Sequence, residues 1–418
     1  MRSFRLSCML VLALMLTACV AQSRGDAGTP KPSIAIGSDL PTSGQDAQGG
    51  QSAQQAIQFA VDQTRAVKGF PVRLVPFDDS VAGRGSAEKG AQNVQQMIGD
   101  PKVLGMVGPY SSNVAFAEIP VANRAGLAMI SPSTTVECLT QPYPYCNPPP
   151  NALRPSGKNN FFRVAAPDPL QGPGMAAFAL DTLKVKRVAV FSEGSTFGSL
   201  MADNFTKEFT KKGGTVVLRQ DLGETTNDFT PFLSAANDQG AQAVYAGGSQ
   251  ATGICRARAQ MKRVFTGDVF FMGNDEIVDP QCVSDAAENA NEGMYATVAQ
   301  ADVSLSSDTH VHDIVAAYRK VHPKPEDIAP YTFAAYDAAL VLLDAISRAV
   351  DGNGGKVPSR QQVVDAIAKT RGFRGVTGTF SFDSNGDATT PPMTVYQVRN
   401  GRWVAVRSVE VRSTPLSS

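Results

Sequence analysis

Three stretches put polar groups at the ends of apolar runs, where they can bind rather than react. VGPYSSN (107–113) ends one run and opens a helical pattern at Ser111. Free backbone N–H groups and the positive end of a helix make an anion site there, and the Ser112 hydroxyl adds a donor. Plain helix capping by Ser111 or Ser112 is the competing reading. SPSTT (131–135) follows the next run, and by itself such a cluster marks a turn. FFMGNDE (270–276) places Asp275 at the end of a later run. On the residues alone, Asp275 reads as a cap on the turn that follows.

Reactive chemistry is thinly represented. The three histidines, His310, His312 and His322, share one short polar stretch. No GxSxG, HExxH or P-loop occurs, and GRGSAEKG (83–90) is not a dinucleotide fingerprint. DSNGD (383–387) alternates oxygen ligands but lacks the sixth-position glycine and the closing glutamate of a calcium loop, so it reads as a hairpin turn. The expectation is a binding protein with no catalytic residues, no metal and no cofactor.

These residues sit on a regular alternation of strands and helices. SIAIGS (33–38), VRLVPFDD (72–79), VLGMVGP (103–109) and LAMISP (127–132) read as buried strands separated by helical stretches. A proline-rich excursion spans 133–160. The rhythm then restarts with RVAVFSE (187–193), TVVLRQ (215–220), AVYAGG (243–248) and DVFFMGN (268–274). Repeated βα units imply α/β architecture: two doubly wound, Rossmann-like parallel sheets covered on both faces. The tail predicts helices near 307–320, 328–350 and 360–369, then three short antiparallel strands, GTFSFD, MTVYQV and RWVAVRSV.

The chain begins with a positive n-region at Arg2 and Arg5 and an apolar run from Met9 to Ala18. That run is shorter than the roughly 20 residues a spanning helix needs, and it reads as a secretory signal over 1–18. Leu16-Thr17-Ala18-Cys19 resembles a bacterial lipobox, which makes Cys19 the lipidated residue and 19–32 a flexible tether. Four cysteines remain. An even number in an oxidising compartment suggests two disulfides. Of three pairings, Cys138–Cys146 with Cys255–Cys282 is favoured because the first closes a local loop. Lysine and arginine together number 38, as do aspartate and glutamate, so the basic surplus of a nucleic-acid binder is missing.

The order and spacing of IAIGSDLPTSGQDAQGGQSAQQAIQFAVD, VPFDDS, VGPYSSNVAFAEIPVANRAGLAMISPSTT, FFRVAAPDPLQGPGMA, GSTFG, YAGG, FFMGNDE and GVTGTFSFDSNGD resemble the branched-chain amino-acid-type substrate-binding proteins of ABC importers, with the type I periplasmic-binding fold. The resemblance covers residues 33–409. It implies two lobes, 31–164 with 297–377 and 165–296 with 378–418, joined by crossover strands near Arg163–Ala166, Tyr295–Ala299 and Gly375–Gly378. Ser112 would hold the α-carboxylate of an amino acid, with Ser133 and Thr135 completing that pocket. Asp275 stands where the branched-chain binders place a glutamate for the α-ammonium, and its shorter reach, with Glu276 beside it, is a departure. Phe197 aligns with an aromatic that closes over the ligand, a core role being the alternative. Ser249 replaces what is often a tyrosine, Tyr110 stands in from the other lobe, and Gln48 faces the cleft from the first loop. The implied protein is a lipid-anchored, extracytoplasmic monomer that hands a small, amino-acid-like solute to an ABC permease. A sensor on the same fold, or a binder of amide, urea-type or aromatic acid solutes, is the alternative.

Overall fold

The computed structural model describes residues 31–44, 46–286 and 292–410. The expected signal, Cys19 and most of the tether lie outside them. Among the described residues, no helix is long and apolar enough to cross a membrane.

The first half of the chain builds β1 (Ile34–Leu40), α1 (Ala47–Thr64), β2 (Ala66–Val67), β3 (Phe70–Asp78), the small hairpin β4 (Ser80–Val81) and β5 (Arg84–Gly85), α2 (Ala87–Gly99), β6 (Val103–Val107), α3 (Ser112–Arg124), β7 (Ala128–Ser131) and β8 (Phe161–Arg163). The second builds α4 (Gln171–Asp181), β9 (Arg187–Ser192), α5 (Thr196–Lys211), β10 (Thr215–Asp221), α6 (Thr230–Asp238), β11 (Ala243–Gly247), α7 (Arg256–Val264), β12 (Phe270–Gly273), α8 (Pro280–Asp285) and β13 (Met294–Val298). The tail adds α9 (Thr309–Val321), α10 (Thr332–Gly352), α11 (Arg360–Ala368), β14 (Phe373–Arg374), β15 (Thr379–Phe380), β16 (Pro392–Arg399) and β17 (Arg402–Glu410).

Two large sheets result. The first has the order β2-β3-β1-β6-β7-β8 and the second β10-β9-β11-β12-β13-β16-β17. Both are parallel in their middles, as continuous apolar strands require when helices cover both faces; β1, β6, β7 and β11 are buried along their whole length. The amphipathic face of α1, with Ala53, Ala56, Ile57, Ala60 and Val61, packs with α10 into the first core. The second sheet is packed on both sides by separate clusters, one around Phe229, Phe232, Phe271 and Ile277, the other around Phe178, Phe205, Phe209 and Tyr245.

In each sheet the chain starts in the interior, visits one side, then crosses to the other. The strand order therefore reverses between β1 and β6, and again between β9 and β11. Side chains beyond the carboxyl ends of such neighbours line a crevice. At the first of these, Gly108 has φ 132°, and a Cβ there would stand 2.5 Å from the Asp39 carbonyl oxygen. Only glycine lets β6 turn into α3 so close to β1.

Three stretches carry the chain between the sheets, 164–170, 299–308 and 369–391. The first two are tied by Ala166 N–H donating to the Ala299 carbonyl at 3.0 Å. The excursion 133–160 is anchored by buried Arg163. Its Nε donates to Asp387 Oδ1 at 2.7 Å, Nη1 to the Thr134 and Val136 carbonyls and Nη2 to Thr140 Oγ1. Cys138 is bonded to Cys146 within the excursion, and Cys255 to Cys282, which ties the start of α7 to α8.

One element departs from the sequence reading. GTFSFD supplies only β15, which pairs with β14 and not with the terminal hairpin. The chain past it is diverted by Asp383, whose Oδ1 accepts from the amides of Asn385, Gly386 and Asp387. MTVYQV and RWVAVRSV do form the antiparallel pair β16–β17, and β16 adds to β13.

Candidate ligand-binding cleft

A ring of contacts runs between the two lobes at the carboxyl ends of their strands. It begins at α3. Ser111 is the N-cap residue but makes no side-chain cap bond, leaving the first amides of the helix to other partners. Ser112 Oγ instead accepts from the amides of Thr135 and Val136 at 3.3 and 3.4 Å. Ser133 Oγ donates to the Tyr110 carbonyl at 2.7 Å. The two Ser/Thr clusters are therefore one structure: Tyr110, Ser111, Ser112, Ser133 and Thr135 meet at the edge of the first lobe.

The ring continues into the second lobe through Thr135, whose carbonyl accepts from the Asp168 amide at 2.8 Å. Gln171, at the start of α4, donates from Nε2 to Asp168 Oδ1 at 3.1 Å and to Asp275 Oδ1 at 2.9 Å. Its Oε1 accepts from the Asp275 amide and from Thr297 Oγ1, each at 3.1 Å. Asp275 follows β12 and turns its other oxygen to the first lobe, accepting from the Tyr331 hydroxyl at 3.2 Å. The Tyr331 ring stands edge-on to Tyr110, centroids 6.0 Å apart, and the Tyr110 hydroxyl donates to the Pro330 carbonyl at 3.3 Å. The circuit thus closes on the residue that precedes Ser111.

The carboxyls of this ring have no cation among their side-chain hydrogen-bond partners. Burial pushes the Asp275 carboxyl above its ordinary range, against the pull of its bonds to Gln171 and Tyr331. Burial, then the charges of Asp275 and Glu137, holds Asp168 well above that range. Desolvation and the Asp275 charge lift Glu276 to about 7. Such a wall favours the arrival of a cationic group, which would let the carboxylates ionise.

The remaining site residues fall on either side of this ring. Ser249 caps the turn after β11, accepting from the Ala251 amide and donating to Glu276 Oε2 at 3.2 Å. Its amide and the Thr252 hydroxyl satisfy one oxygen of buried Glu193, and the Ser195 hydroxyl the other. Phe197 opens α5 in the same loop cluster, half-buried and outside every apolar core cluster, so the core role is not what its placement shows. Gln48 is exposed and lines a groove with Gln51, Gln55, Lys324 and Asp327. Its neighbour Gly49 is the residue that meets Tyr110, a Cβ there standing 2.6 Å from the hydroxyl.

Sequence reasoning missed Gln171, Asp168 and Tyr331. Tyr331 is the least legible. It holds φ 69°, ψ 1°, a left-handed conformation in which a bulky residue is an outlier. Nothing in IAPYTFAAYD marks that backbone, which turns the ring from α10 toward the other lobe.

Comparison with known proteins places this cleft in context. A family profile described as periplasmic binding protein matches residues 33–402. A Leu/Ile/Val-binding protein homolog of Brucella melitensis is 24% identical over 398 residues, covering 94% of this chain and 99% of the relative. The crystal structure of a leucine-binding protein from Thermotoga maritima superposes with a TM-score of 0.68 at 28% identity, covering 90% of this chain and 98% of that one. A solute-binding protein of Rhodopseudomonas palustris, solved with 4-hydroxybenzoate, superposes with a TM-score of 0.69 at 20% identity over 92% and 98% of the two chains.

Proposed function

The chain belongs to the periplasmic binding protein family, and from that premise we propose that its cleft captures a small solute carrying both a carboxylate and an ammonium, an amino acid or close relative. The protein is an extracytoplasmic solute-binding component of an ABC importer. In this reading Cys19 carries the lipid that keeps it at the membrane. The single observation that carries the ligand assignment is the position of Asp275. Its carboxylate comes from the second lobe, is held by Gln171 and reaches Tyr331 of the first lobe.

The chemistry follows from the two walls. An ionised carboxylate has about four lone-pair sites, so Asp275 retains room for an ammonium beside its present donors. The ligand's carboxylate takes the amides at the start of α3, the Ser111 hydroxyl and the Ser112 hydroxyl hydrogen, whose oxygen is already engaged by the 135–136 amides. Tyr110 and Phe197 supply apolar surface. Neither lobe alone answers both charges, so the solute binds the shut form better than the open one, which is all that ligand-driven closure requires.

Unfolding and refolding the protein removes resident solute, and a thermal-shift screen then reads binding. Ligand at about 100 times its Kd adds roughly 2.7 kcal/mol. The panel should contain branched-chain and other amino acids, amides, urea-type solutes and 4-hydroxybenzoate. Stabilisation by amino acids but not by their des-amino analogues supports the reading; stabilisation by 4-hydroxybenzoate alone overturns it.

A further inference from the structure

Away from the ring, three carboxylates meet inside the first lobe. Asp39 is the penultimate residue of β1, Asp79 directly follows β3, and Glu118 lies on α3 about two turns beyond Ser111. All three are 0% exposed, and each contributes an oxygen that lies within 4.8 Å of the other two. Asp39 Oδ1 accepts from Asn93 Nδ2 at 2.9 Å. The five other oxygens, Asp39 Oδ2 and both of Asp79 and of Glu118, are buried, and among the described residues the one bond from another residue that answers any of them is a proton shared between Glu118, whose carboxyl burial holds well above its ordinary range, and Asp39. The packing makes space for them: a Cβ at Gly90 of α2 would stand 2.7 Å from Glu118 Oε1.

Three bare carboxylates cannot persist together in a dry interior, since each alone carries a penalty of several kcal/mol. Sharing protons within the triad removes charge, yet it leaves most of the buried oxygens unanswered. A divalent cation answers all three groups at once. We propose that Asp39, Asp79 and Glu118 form a cation site for a hard divalent ion of the size of Ca2+. An all-oxygen donor set selects hard ions over zinc or copper. Ca2+ accepts a ligand set made largely of protein carboxylates, whereas Mg2+ dehydrates reluctantly and usually keeps several waters beside one or two carboxylates. Three carboxylates converging in the interior therefore suit the larger ion.

The site lies just under the cleft. A Cβ at Gly85 of the small hairpin would be 3.6 Å from Asp79 Oδ1 and 3.3 Å from Ser111 Oγ, and half-buried Ser80 and Gly85 give an approach from outside. An ion there pins β1, the end of β3 and α3 together beneath the Ser111–Ser112 edge. The proposal does not rest on the identity of the solute.

The test uses the full chain, stripped with EGTA and free of amino acids. Equilibrium dialysis against Ca2+ with elemental analysis should give one ion per chain, and Tm should rise with Ca2+ concentration. Mg2+ at matched ionic strength should bind at least tenfold more weakly. Glu118→Gln and Asp79→Asn should each weaken Ca2+ binding tenfold or more. No Ca2+ retained by the wild-type protein at millimolar free ion overturns the site, whatever the variants do. So does Ca2+ binding that is unchanged in a folded variant, and preference for Mg2+ overturns the size assignment.

Discussion

At the scale of residues, Asp275 and Ser112 differ in what their removal exposes. Asp275→Asn keeps an oxygen for Gln171 and meets Tyr331 with the bond reversed, its amide donating to the hydroxyl, but removes the charge. It should weaken an amino acid by about 2–3 kcal/mol, roughly 30- to 150-fold, and barely affect a des-amino acid; isothermal titration with the two ligands decides. Because burial raises the Asp275 pKa, the ammonium must meet an ionised group that the free protein holds partly protonated as pH falls. Amino-acid affinity should therefore decline from neutral toward mildly acid pH, with protons released on binding, seen as a buffer-dependent heat. Ser112→Ala should act even without ligand, because it strips the acceptor from the Thr135 and Val136 amides. A loss of about 1–3 kcal/mol in denaturant unfolding of the stripped protein is expected. Asp275 and the serines were legible as polar groups ending apolar runs. Gln171 and Tyr331 were not, because their role comes from where α4 and α10 begin in space. The Asp39–Asp79–Glu118 triad defeated motif reading for the same reason: its members come from two strand ends and a helix, about forty residues apart in sequence.

At the scale of elements, the Arg163–Asp387 pair is the point where β8, the excursion and the 383–387 turn are fastened. Burial alone would raise the Asp387 carboxyl, but Arg163 with the bonds from Gln141 and Thr140 outweighs it and leaves the pKa below its ordinary value of 3.8. The unfolded chain then binds the extra proton, so this stabilisation is complete above about pH 4 and is lost as pH falls lower. Asp387→Ala leaves a buried guanidinium without its anion and should cost about 3–5 kcal/mol, measured by urea unfolding at pH 7. The same element shows why reading stopped short. Strands such as VLGMV and AVYAG declare themselves by unbroken apolar runs. GTFSFD alternates like a strand, yet Asp383 gathers three amides of its own turn, and local side-chain bonding wins over pairing. Tiny strands such as β8 are held by what surrounds them, with Phe161, Phe162 and Arg163 buried and paired to Met129, Ile130 and Ser131.

At the scale of the whole molecule, the Tyr331–Asp275 bond is a direct tie between the lobes. Tyr331→Phe removes it while keeping the edge-on ring beside Tyr110. Scattering from the solute-free variant should show a larger radius of gyration than wild type, and saturating solute should bring the two together; superimposable solute-free curves would speak against a tie. The doubly wound plan was legible from the repeated βα rhythm, whereas the grouping of 378–418 with 165–296 came from the family resemblance alone, since apolar periodicity carries no record of partners. That sharing reaches into biogenesis. β13 acquires its outer neighbour only from residues 392–399, so a chain emerging from a translocation pore finishes its first sheet while the second still has an unclosed margin of backbone amides and carbonyls. A polypeptide halted before Pro392 would carry that margin permanently. Self-association of such fragments beyond that of the full chain is the expected cost of building a clamp whose last stave is made last.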